Sequence, residues 1–179
     1  YAGATVAGVV RTNSPLELLG SIDNAGQVFV VDNASGPTTF GEVTIDGTID
    51  ATAGSPAIGT GPPTLVDVTW QGPLAAASVV RVAGDGITFD PATAAQNVVT
   101  LDGSGFLQVL PAATADRAVV GGSATIVSTS INAGVRFRGE AYSEAGIEYQ
   151  LGGGVIGGPF SSSSTPARSS RRSTATRSA

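Results

Sequence analysis

Residues 118–151, AVVGGSATIVSTSINAGVRFRGEAYSEAGIEYQL, decide the fold. Three β-rich runs lie within them, at 124–129 (ATIVST), 135–138 (VRFR) and 147–151 (IEYQL). The last two alternate apolar and polar with period two, which places their apolar residues on one face of a strand. Asn132-Ala133-Gly134 and Glu144-Ala145-Gly146 are turn-formers between the runs, so the stretch reads as an antiparallel meander. With Val135, Phe137, Ile147, Tyr149 and Leu151 all facing inward, the register sets Phe137 opposite Tyr149 and Arg138 opposite Glu148. Arg136 then faces Gln150, and 140–146 form the loop. An exposed Arg138–Glu148 pair is worth about 0–1 kcal/mol.

The same grammar runs along the whole chain. Strand-like runs occur at 5–10, 27–31, 65–70, 78–82, 87–89, 98–101 and 106–110. Asp46-Gly47, Gly84-Asp85-Gly86 and Asp102-Gly103-Ser104-Gly105 each read as a hairpin turn. PLELLG after Ser14 reads as one helical turn, as does the segment after Asp90, with Asp90 as cap and Pro91 at the first position. Residues 53–63, AGSPAIGTGPP, form an exposed connection. Alternation selects Phe29, Val31, Val68, Trp70, Val80, Phe89, Leu107, Val109, Ile126, Phe137 and Tyr149 as the core. The expected architecture is one antiparallel β-sandwich or jelly-roll-like domain over residues 1–158, with a flexible arm at 159–179. The alternative is a β-helix, against which the lack of a fixed internal period counts.

Composition narrows the chemistry. Charged residues make up 13 % of the chain, against about 25 % in ordinary soluble domains, so uncharged polar residues must cover much of the surface. Such a surface suits an extracellular or assembly-bound protein. Cys, Met, His and Lys are absent, which removes disulfides, thiolates, imidazole bases and ammonium groups together. Lack of Met even at position 1 suggests a processed or trimmed chain. No apolar run reaches the roughly 20 residues of a membrane span, so no membrane partner is expected. All fourteen acids lie between Glu17 and Glu148, and residues 1–158 hold five arginines, an excess of 14 − 5 = 9 negative charges in the body. That balance argues against nucleic acid as a partner of the folded body.

No catalytic, cofactor or metal centre is expected. No G-x-S-x-G elbow or phosphate loop occurs, and the acids stand beside turn glycines or on outward strand positions. Glu140, Glu144 and Glu148 around one loop are the nearest thing to an acid/base set. Asp46 and Asp50 lack the ladder of oxygen ligands that a calcium loop needs. Asn33-Ala34-Ser35 matches a glycosylation acceptor in pattern only. Trp70, the one tryptophan, is a core anchor or else a sugar-stacking platform.

VRVAGDGITFD, VTLDGSGFLQVL and the polar terminal extension together resemble phage capsid decoration (cement) proteins and β-rich virion fibre proteins. The resemblance is one of general character over the whole chain. It implies a non-enzymatic structural subunit of a virion or extracellular assembly, a homo-oligomer whose partners are its own copies and other capsid or fibre subunits. The alternative function is a secreted carbohydrate-binding or adhesive module at the cell surface, using Trp70 and the tyrosines as platforms. A carboxylate hydrolase comes third. The arm, SSSSTPARSSRRSTATRSA, has no apolar anchor beyond Ala and Pro, so it should be disordered or docked on another chain through Arg168, Arg171, Arg172 and Arg177.

Overall fold

A computed structural model describes residues 2–5, 15–34, 36–110, 118–130, 132–138, 141–151, 154–157 and 160–162. For 2–5, 151, 154–157 and 160–162 it describes the backbone alone. Strands β1 (Ala2–Thr5), β2 (Leu16–Asp23), β3 (Val28–Val30), β4 (Thr38–Asp50), β5 (Ala57–Ile58), β6 (Thr64–Gln71), β7 (Leu74–Ala76) and β8 (Val79–Phe89) form the first half. A short 3-10 turn (Pro91–Thr93) follows. The second half holds β9 (Val98–Leu101), β10 (Phe106–Val109), β11 (Ala118–Gly122), β12 (Ala124–Ser128), β13 (Gly134–Phe137), β14 (Ala141–Ser143), β15 (Ile147–Leu151), β16 (Gly154–Gly157) and β17 (Phe160–Ser162).

The chain is all-β, and all but two of its described strand pairings are parallel. The strands stack as a β-solenoid, the alternative to the antiparallel jelly-roll-like sandwich expected from the meander. Sheet order is β1-β2-β4-β6-β8-β11-β14-β17 on one side and β16-β15-β12-β9-β7 on the other, with β10 and β13 continuing from β8. Three columns of stacked strands result. The first runs β1-β2-β4-β6-β8-β10-β13, the second β3-β4-β6-β8-β11-β14-β17, and the third β7-β9-β12-β15-β16, because long β4, β6 and β8 each serve two columns. Only the joins β14–β17 and β15–β16 are antiparallel among the described residues.

The meander is therefore corrected strand by strand. Residues 124–128 pair in parallel with 147–151, Ile126 beside Tyr149, while 134–137 pair with 106–109. Phe137 meets Val109 rather than Tyr149, and Arg138 does not face Glu148 across a ladder. Successive strands turn a corner into the next column, and each strand's partner lies one coil away. The inward faces are those that alternation selects: ten of the eleven expected core residues are buried, and Phe137 packs half-buried at the edge.

Inward rows make the core. Ile22, Ile45, Leu65, Val82, Val109 and Phe137 stack in the first column, and Phe29, Ile49, Trp70 and Phe89 in the second. Leu74, Val99, Ile126 and Tyr149 face them from the third. Phe29, Phe40 and Trp70 meet edge to face, with ring centroids 6.2 and 6.4 Å apart, the offset that aromatic quadrupoles favour.

Two expected hairpins are kinks inside continuous strands. Gly47 (φ 76°) lies within β4 and Gly84 and Gly86 (φ 70° and 121°) within β8, beside register shifts against β6. Positive φ serves a bulge as well as it serves a turn, and a bulge bends the strand where it passes from one column to the next. A Cβ on Gly47 would fall 2.1 Å from the Asn24 carbonyl oxygen, so the coils touch there through bare backbone. The PLELLG helical turn is also corrected: these residues lead into β2, which turns Leu18 and Ile22 inward in the first column with a register shift between them. Asp102–Gly105 does form a turn, closed by Gly105 N–H to the Asp102 carbonyl at 2.7 Å, but it joins strands of different sheets. Asp90 caps the Pro91 turn as expected, its carboxylate accepting the Ala92 N–H at 2.8 Å.

Candidate functional site

Where the β6 and β8 kinks stack, the outer face carries a shallow recess of about 140 Å³ lined by Asp67, Val68, Thr69, Asp85, Gly86 and Thr88. Asp67 is the extra residue where β6 bulges against β4, lies opposite Gly84-Asp85-Gly86 of β8, and has φ 52°, uncommon for a residue with a Cβ. Its carboxylate accepts the Asp85 backbone N–H from the next coil. Gly84 makes room for that carboxylate, since a Cβ there would lie 2.1 Å from Asp67 Oδ1. In-register Thr48, Thr69 and Thr88 form a ladder along the outward row, ending beside Gly121. Carboxylate and hydroxyl groups together offer acceptors and donors to a polyhydroxyl ligand. No sequence signal singled this recess out, because Gly84-Asp85-Gly86 reads as a turn.

Other polar side chains of the folded body bind neighbouring coils. Asn24 is buried, takes Asp46 as acceptor of its own N–H, and donates from Nδ2 to the Thr48 carbonyl at 3.0 Å. Asn97 spans three coils: its Oδ1 accepts Gly72 N–H at 2.8 Å, and its Nδ2 donates to the carbonyls of Asp90 (2.8 Å) and Ser123 (2.9 Å). Glu144, from the proposed acid/base set, accepts Gly122 N–H at 2.8 Å, and Glu148 sits exposed on β15 beside Thr125. Glu140 lies outside the described residues. Asn33 donates Nδ2 to the Ser55 carbonyl at 2.7 Å, so its amide is engaged in the fold. Asp50 accepts the Thr52 N–H and hydroxyl, a local turn. Among the described residues no group of three or more His, Cys, Asp or Glu could hold a metal ion.

The ligand-platform reading of Trp70 is corrected. Its indole is fully buried within the second column, edge-on to Phe40, and Nε1–H donates to the Gly72 carbonyl at 3.1 Å, so no ring face meets solvent. Tyr149 is buried too, its hydroxyl donating to Ser143 Oγ at 3.0 Å. Of the arm, Phe160–Ser162 pairs with β14 of its own domain. Arg168, Arg171, Arg172 and Arg177 lie outside the described residues.

Two carboxylates, half-buried Asp90 and exposed Asp102, are held in their ionised form by hydrogen bonds. The Ala92 N–H, then the Gln71 amide, hold Asp90 below its usual 3.8, and the Thr129 hydroxyl, then the Gly103 N–H, do the same for Asp102. A carboxyl that ionises more readily folded than unfolded stabilises the fold fully above the unfolded pKa and loses that contribution as pH falls through the folded one. Melting temperature should therefore drop as pH falls below about 4, and Asp102→Asn should flatten that slope in melts from about pH 5 to 2. Burial raises the Tyr149 phenol, so stability should also fall above its ordinary value of 10.0.

No protein-family model, curated protein or solved structure matches the chain. No helix among the described residues is long and apolar enough to cross a membrane.

Proposed function

We propose that this chain is a non-enzymatic structural subunit of a virion or extracellular assembly, such as a capsid decoration or fibre protein. The observation that carries this reading is the direction of its polar groups. Asn24, Asn97, Asp46, Asp67 and Glu144 all bond backbone of an adjacent coil, which converts a glycine-rich chain into a stiff stacked rod. A stack of clasped coils with few charges suits a part that bears load or covers a surface, and its partners are copies of itself and other assembly subunits. Quantitative mass spectrometry on particles or surface structures from the native source tests it. A fixed copy number per particle is the expected result; recovery only as free protein would overturn it.

One observation favours the second reading, a secreted carbohydrate-binding or adhesive module: the Asp67–Asp85 recess beside the threonine ladder, in place of Trp70. Glycan-array binding abolished by Asp85→Ala would support that reading.

A further inference from the structure

Aspartate precedes glycine three times in the chain, at Asp46-Gly47, Asp85-Gly86 and Asp102-Gly103. In this dipeptide a carboxyl group and the next backbone nitrogen meet with little obstruction, because glycine has no Cβ and a wide choice of φ. The fold treats the three differently. Gly47 and Gly86 lie inside β4 and β8, paired with Val68 of β6 and Val119 of β11. A Cβ on Gly47 would fall 2.1 Å from the Asn24 carbonyl oxygen, and one on Gly86 would fall 2.0 Å from that of Val119. The neighbouring coils therefore leave those two backbones no room to rotate. Asp46 is further tied by the Asn24 N–H, and Asp85 by its own N–H to the Asp67 carboxylate.

Gly103 has no such neighbour. It stands exposed in the turn between β9 and β10 at φ 56°, with nothing within 4 Å of the place its Cβ would take. Its N–H donates to the Asp102 carboxylate at 2.7 Å, which sets the Gly103 nitrogen against the carboxyl group of the residue before it. Reacting atoms held this close, in a segment free to turn, approach the geometry of attack.

We infer that Asp102-Gly103 is a site of spontaneous backbone modification, where Asp102 converts through a cyclic succinimide to isoaspartate, and that the Thr129 hydroxyl gates the step. The Gly103 nitrogen gives up its proton and bonds to Asp102 Cγ, while the protonated carboxyl group loses its hydroxyl as water. Water then opens the ring. Opening at Cγ returns aspartate; opening at the Asp102 main-chain carbonyl leaves Gly103 joined through Cγ, with one extra methylene in the main chain. Water is the only co-reactant, and nothing is oxidised or reduced. The gate is the Thr129 hydroxyl, which donates to Asp102 Oδ1 at 2.7 Å from the next coil. Its bond favours the ionised carboxylate, which has no hydroxyl to lose, so the step waits until that bond opens. Rearrangement disturbs a tie across three coils. The Asp102 N–H donates to the Ala76 carbonyl at 3.0 Å, and the Thr129 N–H to the Leu101 carbonyl at 2.9 Å. A lengthened main chain at this corner moves the acceptor away from Thr129 and loosens the coil that β12 belongs to. The turn thus records the age of the folded chain.

This inference needs only the fold and stands whether or not the assembly-subunit reading does. The full chain is kept folded in neutral buffer, sampled over weeks, and digested with an endoprotease that cuts before aspartate but not before isoaspartate. Mass spectrometry of the fragments then reads each site. Resistance to cutting should grow at Asp102 and grow about tenfold or more slowly at Asp46 and Asp85, as the loss of attack geometry requires. In denaturant the three rates should converge, because the coils no longer hold Gly47 and Gly86. Thr129→Val keeps the branched shape of an exposed side chain and removes the hydroxyl, so it should raise the Asp102 rate severalfold. Asp102→Glu should abolish the resistance, since the longer side chain would have to close a larger ring. Equal rates at the three sites of the folded chain, or a faster rate at Asp46 or Asp85, would overturn the site. A Thr129→Val rate no higher than that of the unaltered chain would overturn the gate.

Discussion

Asn97→Leu should lower the unfolding free energy by roughly 3–5 kcal/mol, read as a fall in urea midpoint at unchanged slope. The side chain is fully buried and is held by donors and acceptors from three coils. Leucine fills similar space but leaves the Gly72 N–H and the Asp90 and Ser123 carbonyls without their partner, each costing about 1–3 kcal/mol when buried. The Thr93 hydroxyl loses its contact to Oδ1 as well. Against a typical total of about 5–15 kcal/mol such a loss is large. A change below about 1 kcal/mol would show that the corner backbone finds other partners and that Asn97 does not clamp the coils.

Trp70→Ala should cost about 3–5 kcal/mol, the usual range for removing a large aromatic from a closed core. Trp70 stacks between Ile49 and Phe89 along the second column and meets Phe40 edge-on, so its removal opens a cavity with packed coils above and below. Trp70→Phe should cost less, because a ring still fills most of the space, though the Gly72 carbonyl loses its indole donor. The pair separates packing from a ligand role. If Trp70→Ala abolished ligand binding while leaving the denaturation midpoint unchanged, the core assignment would fail.

What the sequence determined by itself was local. Alternation placed Phe29, Val68, Trp70, Leu107 and Ile126 inward, because the two-residue period of a strand holds whatever its partner is. The Asp90 cap and the Asp102 turn were legible for the same reason, since each is closed by atoms a few residues apart. Which strand pairs with which was not legible. Phe137 and Tyr149 both point inward in either fold, and only the tertiary structure gives them Val109 and Ile126 as neighbours in place of each other.

The coil repeat was hidden by its uneven length. Leu65 to Val82 is a step of 82 − 65 = 17 residues, while Ile87 to Val120 is one of 120 − 87 = 33, so no fixed period survives in the chain. Stacking requires only that inward rows and hydrogen bonds line up, and corners of any length can be looped out between them. Gly47, Gly84 and Gly86 are ambiguous in the sequence for a related reason, because a positive φ reverses a chain in one setting and bends a continuous strand in another. The recess over Asp67 and the three-coil clasp of Asn97 join residues 18 to 26 positions apart, across coils that only folding brings together. Their chemistry is carried by the stack, and a single strand read alone does not contain it.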